Sequence, residues 1–149
     1  MKTYKIYIDN SVYNRPFDDQ RFERIYLEAR AFVIILRLIE EKKSKLVVSF
    51  VNLFENHRNP DPFRKEIIEE YFKLASEFVE LNEKIISKAL SLTEKSLSIL
   101  DALHVASADF AHSDFFITSD DGILKKSKKL KGLVGLKIVS VLEFLKEVL

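Results

Sequence analysis

The stretch DALHVASADFAHSDFFITSDDGIL, residues 101–124, decides the fold. Its first half continues a strongly apolar helix expected over 99–112, and Phe115-Phe116-Ile117-Thr118 reads as the strand that follows. Gly122-Ile123-Leu124 then opens a basic helix ending near Lys131. Helix, strand and helix in immediate succession imply crossover connections, and crossovers join parallel strands.

The same alternation extends outward in both directions. Ile6-Tyr7-Ile8 is a short apolar strand stopped by Asp9-Asn10-Ser11. Over 20–43 the residues Phe22, Ile25, Leu27, Phe32, Ile35, Leu36 and Ile39 recur with helical spacing. Leu46-Val47-Val48 is a second buried strand. Val51, Leu53 and Phe54 open a short helix that Pro60 and Pro62 terminate. A helix over 63–76, a short strand over 78–81 and a helix over 83–95 follow. Lys137-Ile138-Val139 gives a last strand and 141–149 a last helix. The expected architecture is a three-layer α/β/α sandwich with a mainly parallel central sheet, and residues 1–149 form one domain.

Composition narrows the function. Hydrophobic residues make up 47%, enough for a continuous core, which excludes a natively disordered chain. The absence of cysteine rules out disulfides and thiolate metal sites and fits a reducing compartment. No signal-peptide pattern precedes Tyr4-Lys5-Ile6-Tyr7-Ile8, and no run is long enough to span a membrane, so a cytoplasmic location is expected. A net charge of +1 leaves no global field to steer a polyanion, so any nucleic-acid role depends on local basic patches.

In an open parallel sheet, sites form beyond the carboxyl ends of the strands. Asp9 directly follows the first strand, and Asp120 lies two residues after FFIT with Asp121 beside it. Glu55 comes one to two helical turns after the second strand, and Asp101 opens the apolar helix. Singly, each has a plainer role. Asp9 is a turn residue, Asp101 the partner of Ser98 in a capping box, Asp120 or Asp121 a helix cap, and Glu55 a solvated acid. Together at one sheet edge they would repel one another unless a cation joined them. Hard oxygen ligands select Mg²⁺ or Mn²⁺ over zinc. Such an ion activates water and stabilises the leaving oxygen of an in-line displacement.

At these residues the sequence resembles a PIN domain. Members begin with an apolar strand ending in Asp and followed by small polar residues, matched by YIDNS with Asp9. A Glu on the helix after the second strand matches Glu55 in VVSFVNLFENHRN. The third acid starts a D-A-L-H-x-A helix, matched by DALHVASA with Asp101, and the fourth lies in a T-x-D segment, matched by TSDDGIL with Asp120. The match runs from Ile6 to about Leu142. It implies a PIN-like fold and a ribonuclease dependent on Mg²⁺ or Mn²⁺. It also implies RNA as substrate, a toxin role beside an antitoxin or other protein partner, and a homodimer. Asp9, Glu55, Asp101 and Asp120 become catalytic and metal-binding residues, with Ser11, Asp121 and Arg15 auxiliary. Asn10 stands where Thr or Ser is commoner, which passes the hydroxyl contact to Ser11. YNRPFDDQ lies outside the general toxin pattern and resembles a less characterised subgroup.

Other features carry plainer expectations. Arg15 is either a phosphate grip or part of a proline turn capped by Asp18 or Asp19. His104 reads as a packed, hydrogen-bonded core histidine, His57 and His112 as surface residues, and Asp109 as structural. Lys125, Lys126, Lys128, Lys129 and Lys131 form a basic patch that reads either as phosphate steering or as a solvated face. Asp121 is expected to cap the helix after Asp120 or to support the site from outside it. The alternative to an enzyme is a catalytically weak PIN scaffold that binds nucleic acid or a partner. A response-regulator-like acidic pocket fits less well, because no strand-end lysine follows in the late position.

Overall fold

In β1 (Tyr4–Ile8), Ile6 and Ile8 face one side of the sheet and Tyr7 the other, as a backbone of period two requires. That alternation assigns the two cores. The computed structural model describes residues 2–149. β2 (Ser44–Ser49), β3 (Glu77–Val79), β4 (Phe115–Ile117) and β5 (Lys137–Val139) join β1 in the order β3-β2-β1-β4-β5. Every pairing is parallel, so the expectation of a mainly parallel sheet is met in full. The middle strands are buried on both faces, which is why they read as continuous apolar runs.

One face is covered by α2 (Glu23–Glu40), α4 (Pro62–Phe72) and α8 (Val141–Val148), which pack Phe32, Ile35, Ile68 and Phe144 against Ile6, Ile8 and Leu46. The other face is covered by α5 (Glu83–Thr93) and α6 (Ile99–Phe110), which pack Ile85, Ala89, Ala102 and Val105 against Tyr7, Val47 and Phe116. Ala102, Ala106 and Ala108 keep α6 small on its inner face, so it lies close on the sheet. This is the three-layer arrangement expected from the sequence.

The boundaries differ in instructive ways. The chain turns at once after Asp9 into a short helix, α1 (Asn10–Asn14), and then a 3-10 turn, Arg15–Phe17, that Pro16 favours. Neither Asp18 nor Asp19 caps α2; the cap position is Phe22, with no side-chain bond. Asp18 instead pairs with Arg15 and Arg64, and Asp19 with Arg21. α2 and α6 end two to three residues short of the expected bounds at 43 and 112. Lys42 and His112 adopt left-handed backbone with φ of 61° and 56°, which closes a helix and turns the chain into the next strand. The basic helix beyond Asp120 breaks into α7 (Asp121–Lys126) and a 3-10 turn, Ser127–Leu130. α3 (Phe50–His57) follows β2 directly and is capped by Ser49. No helix among the described residues is long and apolar enough to cross a membrane.

Candidate functional site

From β1 the chain moves to β2 and β3 on one side, then returns to β4 and β5 on the other. The order therefore reverses between β1 and β4, and a crevice opens beyond their carboxyl ends. Asp9 extends β1 there, donating its backbone N–H to the Ile117 carbonyl of β4 at 2.9 Å. Its side chain is almost fully buried and makes no cap bond to α1. Thr118 and Ser11 hydroxyls donate to one carboxyl oxygen, Oδ2, at 2.7 and 2.8 Å. The same two hydroxyls accept the N–H groups of Asp120 and Ser119 at 3.0 and 3.1 Å. Asp9 and the 118–121 loop are thus one hydrogen-bonded unit.

Asp120 is the N-cap of α7, its Oδ1 accepting from Gly122 at 2.7 Å and from Ile123 at 3.2 Å. This corrects the expectation that Asp121 caps the helix. Asp121 is already inside α7, and its exposed carboxylate accepts from Arg24 Nη1 at 2.8 Å. Arg24 holds the Asp121 carboxyl below its usual range. Asn10 contributes no hydroxyl; its amide exchanges bonds with Asn52, which fixes α1 against α3.

Asp101 sits in the first turn of α6, its N–H bonded to the Ser98 hydroxyl. Burial raises its pKa first, and the charges of Asp9 and Asp120 raise it further, so Asp101 senses acids from two other segments. Glu55 reaches the group from α3 through His104, whose Nε2 lies 2.8 Å from Glu55 Oε1 and 3.7 Å from Asp9 Oδ1. His104 Nδ1 is 2.6 Å from the Tyr7 hydroxyl, itself 2.6 Å from Ser49 Oγ. An ionised Glu55 can only accept, so Nε2 carries a proton, and in the neutral ring Nδ1 accepts from Tyr7. Burial alone would lower the His104 pKa. The Glu55 hydrogen bond and the charges of Asp9, Glu55 and Asp101 outweigh burial and raise it. His104 is the buried, hydrogen-bonded core histidine that the apolar helix suggested, and it also joins two of the four acids.

Arg15 does not point at free space. Its Nε lies 3.0 Å from Glu28 Oε1 and its Nη1 3.3 Å from Asp18. Sequence reading missed Glu28, which is only 2% exposed on the inner side of α2. Glu28 also meets Arg24 Nε at 3.3 Å and accepts from the Ser119 hydroxyl at 3.1 Å. The one signal available was the Arg24–Glu28 spacing of one helical turn, which elsewhere marks a surface pair.

Among the described residues no three His, Asp or Glu side chains form a ready-made cation cage. The acids are spoken for in part: Asp9 Oδ2 by two hydroxyls, Asp120 Oδ1 by a helix N-terminus, Glu55 by His104. Asp9 Oδ1 and Asp120 Oδ2 take no hydrogen bond from the described residues, and Asp101 has no basic partner among them. An all-oxygen donor set with few free carboxylate oxygens fits Mg²⁺ or Mn²⁺, which keep several waters, and not a zinc site.

By sequence, no family profile and no curated protein matches the chain. Solved structures do. FitAcB from Neisseria gonorrhoeae is similar at 14% identity and a TM-score of 0.56, covering 92% of this chain and 98% of that one. VapBC2 from Rickettsia felis, solved bound to a DNA fragment from their promoter, is similar at 11% identity and 0.54, covering 91% and 98%. PAE2754 from Pyrobaculum aerophilum is similar at 16% identity and 0.53, covering 98% and 97%. At such identities the likeness speaks for the fold, which is PIN-like over nearly the whole chain.

Proposed function

Taking the PIN-like fold as premise, we propose that this chain is a metal-dependent endoribonuclease that hydrolyses phosphodiester bonds, the toxin half of a toxin–antitoxin pair. The observation that carries the reading is the gathering of Asp9, Asp101 and Asp120 at the β1–β4 switch point, with Glu55 joined through His104 and, among the described residues, no Lys or Arg paired to any of them. With His104 as the one basic side chain set among these four acids in the described residues, the group has a standing demand for a cation. Asp9, Asp101, Asp120 and Glu55 would hold Mg²⁺ or Mn²⁺, which when bound supplies an activated water and charge neutralisation at phosphorus. The chain's own part is orientation. Ser11 and Thr118 fix the Asp9 carboxylate, the α7 N-terminus fixes Asp120, and the Tyr7–His104 pair fixes Glu55. The exposed lysines of α7 and the following turn, Lys125, Lys128 and Lys129, supply local positive charge for an RNA backbone. The FitAcB and VapBC2 likenesses support an antitoxin partner.

The test is cleavage of single-stranded RNA with Mn²⁺ supplied, comparing two neighbours. Asp120→Asn lowers the rate at least about tenfold, roughly 1.4 kcal/mol in the barrier, while keeping its cap, because Asn caps nearly as well. Asp121→Asn weakens only an exposed charge pair with Arg24 and leaves the Arg24 bond to the Ser119 carbonyl in place, so its rate falls far less than that of Asp120→Asn. RNA left uncut by the wild-type chain with Mn²⁺ points instead to a catalytically weak binding scaffold.

A further inference from the structure

We propose that Glu28 is a positioning residue: from inside α2 it sets the 118–121 loop that presents Asp120. The inference rests on the nuclease reading for its consequence, but not for its geometry. Glu28 is nearly as deeply buried as the core leucines, yet it faces the loop with both carboxyl oxygens engaged. One oxygen receives Arg15 Nε and Arg24 Nε, and the other receives the Ser119 hydroxyl. Burying a carboxylate is costly unless it is paired and hydrogen-bonded, so this position has a strong preference for one arrangement.

Arg24 converts that preference into loop geometry. Its three nitrogens go to three acceptors: Nε to Glu28, Nη2 to the Ser119 carbonyl at 3.0 Å, and Nη1 to Asp121 at 2.8 Å. Planar guanidinium donors have a fixed fork, so Glu28 orients Arg24, and Arg24 then holds the residues on both sides of Asp120. On the far side, Ser119 N–H and Asp120 N–H are held by Ser11 and Thr118, the hydroxyls that orient Asp9. Two independent sets of bonds therefore converge on the loop, one from Asp9 and one from Glu28. Arg15 links the latter to the 3-10 turn in YNRPFDDQ, which gives that segment a structural role behind the site.

Glu28→Gln and Arg24→Met break the second set and leave Asp9, Asp101 and Asp120 untouched. Arg24 is half-exposed, so the second variant folds even where the first does not. Two readings are taken: amide hydrogen exchange at Ser119, Asp120, Gly122 and Ile123 against exchange in β1, and Mn²⁺ affinity per folded molecule. The expected result is at least about tenfold faster loop exchange with β1 unchanged, and Mn²⁺ affinity weakened about tenfold or more, the usual effect of losing an outer support. With RNA, the rate at saturation falls while KM stays near the wild-type value. Loop exchange that stays at the wild-type rate, or that rises equally in β1, makes Glu28 a general staple and overturns the proposal. A wild-type chain that neither binds Mn²⁺ nor cuts RNA defeats the nuclease reading alone, because the exchange comparison still decides the loop.

Discussion

Asp9 and Glu28 are both buried carboxylates, 5% and 2% exposed, and both touch the 118–121 loop through hydroxyl groups. Their surroundings differ in the one respect that matters. Glu28 meets two guanidinium groups, whereas Asp9 meets hydroxyls, a histidine shared with Glu55, and a further acid, Asp101, whose pKa it raises. A buried charge already neutralised by the protein holds structure together. A buried charge left among its own kind is held in place at a cost and stays receptive to a cation. The contrast divides the acids of this chain into a fastening and a candidate site.

The largest expected effect breaks the fastening. Glu28→Ala strands two arginines and removes an anchor of the loop. Losing one partner of a buried pair costs about 3–5 kcal/mol, and solvent access to Arg24 reduces this to about 2–4 kcal/mol here. Urea unfolding measures it; a change below about 0.5 kcal/mol, the level of ordinary surface substitutions, contradicts the fastening role.

The site responds with the opposite sign. Burial and the charges of Asp9 and Asp120 raise the folded pKa of Asp101, so its ionised form weighs against the fold at neutral pH. That burden is absent below the unfolded carboxyl value of about 3.9 and complete above the raised folded value. Asp101→Asn is therefore more stable than wild type at pH 7 without metal, by about 1 kcal/mol or less, which is a few degrees in Tm. The gap closes as pH falls through the folded value. Thermal melts at pH 7 and pH 4 check both statements, and a variant less stable than wild type at pH 7 removes the repulsion argument.

How far the sequence revealed this division depends on distance along the chain. Asp9, Asp101 and Asp120 were legible because each adjoins an apolar run whose end is visible, and strand ends in a parallel sheet share an edge. DALH also exposed His104 as a core residue, since the helix around it is dominated by Ala102, Val105, Ala106 and Ala108. Its bonds to Tyr7 and Glu55 were not legible, because they join strand, helix and helix across 97 and 49 residues. Glu28 was hidden for a related reason. A glutamate within ERIYLEARAF reads as the solvent side of an amphipathic helix, and only the folded turn carrying Arg15 makes an interior position tolerable. The choice between Asp120 and Asp121 as cap turned on a single residue of register, which a loop's backbone decides and a motif does not.

The central claim is that the acidic group is a cation site and the Glu28 group is not. Calorimetric titration of Mn²⁺ into the wild-type chain and into Asp9→Asn tests it most directly. The expected result is saturable binding by the wild type, weakened at least about tenfold in Asp9→Asn while the variant remains as stable as wild type without metal. Binding that is absent from the wild type, or equal in the two proteins, contradicts it.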